Sequence, residues 1–252
     1  MKIALVQTNI VWEDKDINYQ KAKDYMIKAK KEGAECIFFS EMSFTGFSMN
    51  TALTAEDELE TVAFMSELAS QIKISVGFGW VKRIDNSAEN HYTIVSDSKE
   101  IISDYAKIHP FTYSGEDRYF TGGDKITEFE LGGIPFSNFI CYDLRFPEIF
   151  RKVVPKAHAI VIPAAWPKRR SEHWKALLKA RAIENQVYII GINCFGMIDG
   201  LEYSGDSCII NPNGEILLTM EEEGMAIYDL TDDVEAYRNG FPVLDDIRRD
   251  LY

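Results

Sequence analysis

The sequence predicts an α/β fold in which parallel and antiparallel strands are mixed. Apolar runs at 2–8 and Cys36–Phe39 are separated by an amphipathic stretch at 18–32, which is typical of strands connected through a helix. The runs Ile74–Val81 and His91–Ser96 are separated by a short polar turn, which predicts an antiparallel hairpin. A chain with both kinds of connection folds either as one mixed sheet or as two sheets packed face to face between helices.

Two predicted helices precede this hairpin. In the first, apolar residues recur at helical spacing, Asn18 is placed to cap the start, and Gly33 suits the end. Thr54 opens a capping box ahead of a second helix that extends to about Ile72. After the hairpin we expect one further strand, at Glu100–Asp104.

The second half of the chain alternates strands with one long helix and then forms another hairpin. Its predicted elements are strands at Ile126–Leu131, Ile134–Ile140, His158–Pro163 and Val187–Asn193, a helix at 171–185 capped by Ser171, a hairpin from Tyr203–Asn211 to Ile216–Met220 around a Pro-Asn-Gly turn, and a strand at Met225–Leu230. The charged tail from Asp232 to Tyr252 is expected to extend over the surface or onto a partner. No linker-like segment divides the chain, so we expect a single domain over 1–252.

The composition is that of a soluble globular protein with an acidic excess. With 27 basic and 40 acidic residues the net charge is −13, which disfavours nucleic acid and anionic membrane as partners. No apolar run approaches about 18 residues and the first residues enter a strand at once, so we expect neither a membrane span nor a leader peptide. The four cysteines are far apart and the histidines lack metal-ligand spacing. This predicts reduced thiols in the cytoplasm and no bound metal.

The strongest candidate for chemistry is a cysteine at the junction between a strand and a helix. The run Ile134–Ile140 predicts a buried strand, Cys141 follows it, and Pro147 suits the first turn of the next helix. A side chain at such a junction can point into a pocket, and N–H groups at the helix start can face the group that it attacks. Cys141 is therefore a candidate nucleophile; the alternative is a small apolar residue of the core.

Two charged residues at other strand ends and one loop carboxylate accompany this cysteine. Glu41 follows the Cys36–Phe39 strand and precedes a glycine-containing loop, where the active sites of layered α/β folds gather. Lys107 follows the Glu100–Asp104 strand between apolar neighbours, and a lysine in such surroundings needs a charged partner. Glu116 lies in the loop beyond it. Taken singly, each of these residues is more often a solvated surface charge.

In this order, Glu41, Lys107 and Cys141 resemble the Glu–Lys–Cys triad of the carbon–nitrogen hydrolase (nitrilase) superfamily. The similar segments are Phe39-Ser40-Glu41-Met42, Tyr105-Ala106-Lys107-Ile108-His109, Gly115-Glu116, Cys141-Tyr142-Asp143-Leu144-Arg145-Phe146-Pro147-Glu148, and shorter ones that start at Pro163, Ala180 and Gly205. The resemblance therefore extends over essentially the whole chain. It implies an α-β-β-α sandwich, with two mixed sheets between helical layers, and a homodimer.

Within the superfamily, the chain is most similar to the omega-amidase branch. The segment 41–49 resembles the first motif of that branch, and 166–174 resembles its loop into the long helix, in the bacterial form. Omega-amidases hydrolyse the terminal amide of short 2-oxo diacid monoamides, such as 2-oxoglutaramate or 2-oxosuccinamate, to the acid and ammonia. The resemblance implies this activity, with N-carbamoyl-amine or aliphatic amide hydrolysis as the alternative.

The resemblance also implies a role for each residue. Cys141 would form an acyl thioester with Glu41 as its base, while Lys107 and the backbone N–H of Tyr142 would bind the oxyanion. Glu116 would orient Lys107 or the substrate nitrogen through a charge-assisted contact. The reaction requires no cofactor, and the sequence indicates none.

The residues expected to hold the substrate follow from its charge. A distal carboxylate needs a cation, and the planar fork of an arginine matches its geometry. Arg170 is the first candidate, with the two basic residues before it in the same loop. Phe44, Tyr142 and Trp166 are candidate pocket walls. The alternatives are solvated charges for the basic loop and core packing for the aromatic side chains.

Other polar residues near the motifs are expected to be structural. We expect Asp143 and Arg145 to brace the elbow as an ion pair, His109 and His173 to have no catalytic role, and the other three cysteines to pack in the core. Two further function classes compete with the amidase. A Cys–His hydrolase would need one of these histidines as its base. A non-catalytic scaffold would be free to lose any member of the charged set, which this chain retains.

Overall fold

The computed structural model describes residues 1–248, 250 and 251, and contains two six-stranded mixed sheets. Helices cover the outer face of each sheet, so the layers follow the order helix, sheet, sheet, helix. This confirms the predicted α-β-β-α sandwich. Of the predicted C-terminal tail, Arg249 and Tyr252 lie outside the described residues.

The elements are as follows. The strands are β1 (Lys2–Gln7), β2 (Cys36–Phe38), β3 (Ser75–Ile84), β4 (Ser87–Val95), β5 (Ile101–Ala106), β6 (Glu128–Leu131), β7 (Ile134–Asn138), β8 (Ala159–Ala164), β9 (Tyr188–Asn193), β10 (Phe195–Ile198), β11 (Leu201–Ser204), β12 (Cys208–Ile210), β13 (Ile216–Thr219) and β14 (Gly224–Asp229). The α-helices are α1 (Lys15–Lys31), α2 (Thr51–Thr54), α3 (Glu60–Ile72), α4 (Pro147–Val153), α5 (Ser171–Asn185) and α6 (Val234–Gly240). Within the described part of the chain, no helix is long and apolar enough to cross a membrane.

The first sheet has the order β14-β1-β2-β3-β4-β5 and is buried on both faces. In β1, Ile3 and Leu5 belong to the core that the two sheets share, whereas Ala4 and Val6 pack against α1 and α3. Successive side chains of a strand point to opposite faces, so a strand covered on both faces needs apolar residues at every position. This is why β1 and β2, at the centre of the sheet, are continuous apolar runs rather than alternating ones.

The second sheet has the order β13-β12-β9-β8-β7-β6, and α5 packs on it through a glycine. A Cβ at Gly191 on β9 would lie 2.7 Å from Leu178 Cδ1 and 3.0 Å from Trp174 Cζ2. Those separations are too short for any side chain, so glycine at this position allows the helix to approach the sheet. The close contact fixes α5 and the loop that leads into it.

The fold brings the ends of β2 and β5 to the same edge of the first sheet. β3 is parallel to β2, and β4 is antiparallel to both β3 and β5, so β2, β3 and β5 run in one direction. Glu41 follows β2 and Lys107 follows β5. Cys141 follows β7 of the facing sheet, so the candidate residues are carried by strand ends of both sheets.

Two helix starts differ from the sequence prediction. The cap of α1 is Asp14, whose carboxylate accepts the N–H of Ile17 at 3.1 Å, while the predicted cap, Asn18, bonds the main chain of Val11 and Phe44. The capping box at Thr54 is also wrong. Thr54 ends α2, and α3 begins only at Glu60.

The reason for the second error is a buried carboxylate between the two helices. Glu56 accepts the main-chain N–H of Thr61 at 2.9 Å and pairs with Lys15 Nζ at 2.6 Å. Its side chain therefore satisfies the start of α3 from outside the helix, where the capping box would have satisfied it from within.

The Pro-Asn-Gly hairpin is confirmed, although its first strand is shorter than predicted. β12 and β13 pair antiparallel around Pro212–Gly214, but Tyr203 belongs to β11, which pairs with β10 in a separate two-stranded hairpin. After β14, the chain continues over the protein surface as expected. There Arg238 of α6 donates to the carbonyls of Val154 and Ala157 at 3.0 and 2.8 Å.

Candidate active site

Lys107 lies between two buried carboxylates. Its Nζ is 2.8 Å from Glu41 Oε1 and 2.9 Å from Glu116 Oε2, and none of the three side chains is more than 1% exposed. A buried ammonium is tolerated only when charged partners and hydrogen bonds replace its hydration. The structure thus brings together the three charged residues that the sequence analysis selected.

The electrostatics of this cluster keep Lys107 charged. Burial alone would lower the pKa of its ammonium, but the charges of Glu116 and Glu41 outweigh that effect and raise the pKa. Burial raises the pKa of Glu116, although the charge of Lys107 opposes the shift. At neutral pH Lys107 is therefore an ammonium, which suits a group that stabilises negative charge.

The loop that carries Glu41 is held against β3 at a glycine. The N–H of Ser43 donates to the Gly79 carbonyl at 3.0 Å, and the N–H of Gly79 donates to Ser43 Oγ at 2.8 Å. A Cβ at Gly79 would lie 2.4 Å from the main-chain nitrogen of Met42. Any side chain on Gly79 would push the loop away from β3, and Glu41 away from Lys107.

Cys141 occupies a tight elbow between β7 and α4. Its φ is +46°, in the left-handed region that costs a residue with a Cβ about 1–3 kcal/mol at a functional site. The turn Cys141–Arg145 is a 3₁₀ helix, and Pro147 is the first residue of α4, as predicted. The elbow leaves Cys141 9% exposed at the wall of a cavity.

The Cys141 thiol is protonated at neutral pH. Burial raises its pKa well above the ordinary value and the charge of Glu41 raises it further, whereas Lys107 acts in the opposite direction. A thiol is a far weaker nucleophile than a thiolate, so a cysteine in this state can act as a nucleophile only with a base beside it. Glu41 is the adjacent carboxylate.

Asp143 braces the elbow from behind. Its carboxylate accepts the Ile140 N–H at 3.0 Å and the Tyr105 hydroxyl at 2.8 Å. It also accepts the His109 N–H at 3.0 Å and lies 2.7 Å from His109 Nδ1. Because these donors come from Ile140, just before Cys141, from Tyr105 of β5 and from His109 just beyond β5, Asp143 ties the Cys141 turn to the strand that leads to Lys107.

The predicted ion pair between Asp143 and Arg145 is wrong. Asp143 is fully buried and its oxygens are already occupied by the four donors of the brace. The Arg145 guanidinium instead lies 4.7 Å from the ring centroid of Trp166, and its Nη2 is 3.3 Å from His173 Nδ1. Arg145 therefore lies at the cavity, and the partner of the Asp143 carboxylate is His109.

Two further contacts to Glu41 were missed by the sequence analysis. The main-chain N–H of Ala165, just after β8, donates to Glu41 Oε2 at 2.9 Å. Asn90 Nδ2, on β4, donates to Glu41 Oε1 at 2.8 Å. The residues Pro163-Ala164-Ala165 were part of a recognised motif, but a main-chain donor carries no sequence signal. Asn90 lies in an ordinary strand pattern.

Cys141 opens into a cavity of about 190 Å³. Its lining combines aromatic side chains with three arginines. The lining residues are Phe47, Met49, Phe111, Ser114, Cys141, Tyr142, Arg145, Ala165, Trp166, Pro167, Arg169, Arg170, Leu201 and Tyr203. Three of the four predicted substrate-binding residues, Tyr142, Trp166 and Arg170, are therefore at this cavity.

Phe44 does not line the cavity, and its prediction as a pocket wall is wrong. It is 2% exposed in the core beneath α1, with ring centroids of Tyr19 and Phe78 at 4.8 and 6.1 Å. The loop turns sharply at Gly46, and the apolar residues that follow the turn, Phe47 and Met49, line the cavity instead.

Three arginines line the cavity without a carboxylate partner in the described part of the chain. The Arg170 guanidinium is 5.1 Å from the Phe111 ring centroid and 5.8 Å from that of Tyr113. Among the described residues, no carboxylate lies within 4.0 Å of Arg145, Arg169 or Arg170. Burial lowers the pKa of Arg170, and so do the charges of Arg169 and Arg145. In a chain of net charge −13, such a group is suited to an anionic ligand.

The remaining cysteines are buried, as expected. Cys36, Cys194 and Cys208 are 0, 1 and 6% exposed, and burial raises the pKa of each thiol, to about 12 for Cys208. Over residues 1–248 and 250–251, no group of three His, Cys, Asp or Glu side chains is arranged to hold a metal ion.

Comparison with known sequences agrees with this geometry. Residues 2–239 match the family model described as carbon-nitrogen hydrolase. The chain is 35% identical over 257 residues to the 2-oxoglutaramate amidase of Bacillus subtilis, covering 99% of this chain and 98% of that protein. It is 32% identical over 250 residues to the omega-amidase YafV of Escherichia coli K12, covering 98% and 96%.

Solved structures have the same fold. The XC1258 protein of Xanthomonas campestris, a CN-hydrolase superfamily protein with an arsenic adduct in its active site, superposes with a TM-score of 0.91 at 26% identity, covering 98% of this chain and 97% of that one. An amidase from Nesterenkonia has a TM-score of 0.89 at 24% identity, covering 100% and 94%. The chain belongs to the carbon–nitrogen hydrolase family, and it is an amidohydrolase.

Proposed function

We propose that the protein hydrolyses the terminal amide of a short 2-oxo acid monoamide, such as 2-oxoglutaramate, to the dicarboxylic acid and ammonia. The observation that carries the proposal is the buried Glu41–Lys107–Glu116 cluster beside Cys141, at a cavity lined by three arginines. The cluster supplies the chemistry of amide cleavage, and the arginines supply a partner for the second acid group.

In the first half-reaction, Glu41 takes the proton of the Cys141 thiol as the sulfur attacks the amide carbonyl carbon. A C–S bond forms and the carbonyl electron pair moves onto oxygen. When the tetrahedral intermediate collapses, the C–N bond breaks, and the proton held by Glu41 passes to the nitrogen. Ammonia leaves, and the acyl group remains on Cys141 as a thioester.

In the second half-reaction, Glu41 takes a proton from water, whose oxygen attacks the thioester carbon. The C–O bond forms, the C–S bond breaks, and the Cys141 sulfur regains the proton from Glu41. One carboxylate thus acts as base and then as acid in each half-reaction. This use requires an oxygen of Glu41 that is not fully occupied by other donors.

Lys107 and the backbone N–H of Tyr142 stabilise the oxyanion in both halves. Removing a single donor of this kind typically lowers the rate by roughly a hundred- to a thousand-fold. Glu116 holds the ammonium of Lys107 in place through contacts of 2.9 and 3.1 Å. Glu116 thus fixes the position of the ammonium and leaves the reacting carboxylate, Glu41, ionised.

Arg170 holds the distal carboxylate of the substrate, with Arg145 as the second candidate. Both guanidinium groups lie over aromatic rings, Phe111 for Arg170 and Trp166 for Arg145, so their planes are restrained before a ligand arrives. We expect Arg170→Ala to raise KM for 2-oxoglutaramate. An unchanged KM would assign the carboxylate to Arg145 or to another cation.

The test is ammonia release by the purified protein and by its Cys141→Ala variant. Three substrates are compared: 2-oxoglutaramate, an N-carbamoyl amino acid and an unsubstituted aliphatic amide. We expect turnover of the keto-amide to exceed that of the others and to vanish in the variant. Faster turnover of the carbamoyl or aliphatic substrate would reject the keto-acid substrate, and turnover that persists in Cys141→Ala would reject the thioester.

We further propose that the protein acts as a homodimer in the cytoplasm, as the resemblance implies. Sedimentation equilibrium would test the dimer: a single species at the monomer mass would exclude it.

A further inference from the structure

Asn90 contacts every charged member of the Glu41–Lys107–Glu116 cluster. Its Nδ2 donates to Glu41 Oε1 at 2.8 Å and is 3.4 Å from Glu116 Oε1. Its main-chain carbonyl accepts the N–H of Lys107 at 2.8 Å, because β4 and β5 pair next to each other. The residue is 2% exposed and does not line the cavity, so it acts on the cluster and not on the substrate.

We propose that Asn90 is a positioning residue that determines which oxygen of Glu41 acts as the base. The inference rests on the proposed function only in that Glu41 is the base for Cys141. Glu41 Oε1 receives two donors, Lys107 Nζ and Asn90 Nδ2, both at 2.8 Å. Since a carboxylate oxygen offers about two lone-pair positions, Oε1 is saturated.

The other oxygen, Oε2, is left available. Within the described part of the chain, its hydrogen-bond donor is the main-chain N–H of Ala165, at 2.9 Å. One lone pair of Oε2 therefore remains for the proton of Cys141. Without Asn90, Oε1 would be partly free, and the carboxylate could rotate or take the proton on the side that faces Lys107 and Glu116.

The residue type fits this task. With both carboxylates ionised, the cluster has a net charge of −1, and an amide adds a donor without changing that charge. A lysine at this position would neutralise the base, and an aspartate would add a third carboxylate. The orientation of the amide is fixed as well, because turning it would direct Oδ1 at the carboxylate oxygens of Glu41 and Glu116.

The Oδ1 atom of Asn90 shows the cost of this arrangement. It is buried and has no hydrogen-bond partner among the described residues. A buried orphan acceptor is unfavourable for folding. A purely structural position would favour an apolar residue over an asparagine with an unpartnered Oδ1. The asparagine is explained if the Nδ2 contacts of the same amide serve the reaction.

The experiment replaces the amide by a near-isosteric apolar side chain. Asn90→Leu is compared with Asn185→Leu, which removes another fully buried asparagine with an unpartnered Oδ1, at the far end of α5. We expect kcat of Asn90→Leu to fall about tenfold to a hundredfold, the effect of one hydrogen bond to a charged group, with KM little changed. We expect Asn185→Leu to retain the wild-type kcat.

The pH profile separates positioning from packing. A lost donor favours the protonated form of the carboxylate, so the acid limb of kcat/KM should move to higher pH by about one unit in Asn90→Leu. Asn90→Asp, which preserves the shape of the side chain, places a third carboxylate against Glu41 and should move the limb further in the same direction. Acid limbs that coincide with that of the wild type in both variants would overturn the proposal.

A second readout does not depend on the substrate. The rate of Cys141 alkylation by iodoacetamide is measured against pH in the wild type, in Asn90→Leu and in Asn90→Asp. If the wild-type protein fails to turn over 2-oxoglutaramate, the proposed function fails, but the shift of the alkylation profile between wild type and Asn90→Asp still tests the role of Asn90. Superimposable alkylation profiles would reject it.

Discussion

Cys141 and Cys194 offer a comparison between two thiols of one sheet. Cys141 comes shortly after β7 and Cys194 directly after β9, and only β8 separates these strands. In both, burial raises the pKa of the thiol and the charge of Glu41 raises it further. Thiol chemistry alone therefore does not separate a nucleophile from a core residue in this protein.

The difference lies in the backbone and in the neighbours. Cys141 has a φ of +46° and lines the cavity, whereas Cys194 is 1% exposed beside Ile10 and Ile198, with its main-chain N–H donating to Asn193 Oδ1. The charge of Lys107 lowers the pKa of Cys141, and no such cation acts on Cys194 in the described part of the chain. Position and a nearby ammonium distinguish Cys141 from Cys194, and each can be removed separately.

The largest expected effect is the loss of the nucleophile. We expect Cys141→Ala to lower kcat for 2-oxoglutaramate by at least about 10⁴-fold, because no other group takes over attack. Cys194→Ala is the matched control and should remain within about threefold of wild type, since it removes a buried sulfur outside the cavity. Ammonia release measures kcat of both variants. A comparable loss of kcat in Cys194→Ala would show that the two thiols do not differ in function.

The ammonium is tested next. Lys107→Met leaves Glu41 and Glu116 facing each other without a cation, so we expect kcat to fall by about 10²–10³-fold and unfolding to be easier by about 3–5 kcal/mol. The control is Lys15→Met, which removes a partly exposed lysine from another buried carboxylate, Glu56. Urea denaturation and kcat measure both variants. A control with an equal loss of kcat would show that the effect is structural.

The same ammonium predicts how stability depends on pH. The folded-state pKa of Lys107 is raised above its unfolded value of about 10.4, so its stabilising contribution is fully present below that pH and is lost as the pH rises through the raised value. In urea denaturation, the wild type should therefore lose more stability than Lys107→Met as the pH rises above about 10.4, and the two should lose stability in parallel below that pH. Parallel losses above that pH as well would contradict the paired ammonium.

The contribution of the Cys141 backbone turn is tested by changing Asp143, which braces it. In Asp143→Asn, one acceptor oxygen becomes an N–H₂ group that faces the donors of Ile140, Tyr105 and His109. We expect kcat to fall about tenfold to a hundredfold, KM to change little, and stability to fall by about 1–3 kcal/mol. Asp104→Asn, which weakens the contact to His91 on the outer strands, is the control for stability loss without loss of kcat.

Alkylation compares the two thiols directly. Because the pKa of Cys141 is raised, its reaction with iodoacetamide should continue to accelerate above about pH 8.5, where an ordinary thiol reaches its half-titration point. We expect Cys141 to react at least about tenfold faster than Cys194 in the folded protein, since only Cys141 is at the cavity. Peptide mapping gives both rates. A plateau below pH 8, or equal rates, would contradict this account.

The sequence predicted the residues that gather around Lys107 and Cys141 better than it predicted the pocket walls. Glu41, Lys107, Glu116 and Cys141 could be found because charged or nucleophilic residues at the ends of apolar strands are unusual in a sequence. The brace around Asp143 was expected, but its partner was not. Whether Asp143 pairs with Arg145 or with His109 depends on the side of the 3₁₀ turn from which the Asp143 side chain extends. Nothing in the local sequence determines that side.

The errors at Phe44 and Asn90 have the same physical origin. Aromatic residues pack equally well in a core and in a pocket wall, so the turn at Gly46 decides that Phe47 faces the cavity and Phe44 does not. Asn90 reaches the cluster only because β4 lies between β3 and β5 in the assembled sheet. Strand neighbours across a sheet are set by tertiary packing, which a single sequence does not display.

The smallest expected effect concerns Tyr203, which lies between the two thiols. It packs in the cluster of Cys194 and also lines the cavity of Cys141, and its hydroxyl makes no hydrogen bond within the described residues. Burial raises the pKa of this phenol, so it is a neutral donor at working pH. A donor left open in a cavity is suited to a polar atom of the substrate, such as the 2-oxo group.

We expect Tyr203→Phe to raise KM for 2-oxoglutaramate about threefold to tenfold, the effect of one neutral hydrogen bond, with kcat little changed. Butyramide, which lacks both the oxo group and the distal acid, should show no change in KM. An equal rise in KM for both amides would mean that Tyr203 shapes the cavity around Cys141 without discriminating between substrates. A fall in kcat alone would place its hydroxyl nearer the reacting carbonyl than the acyl chain.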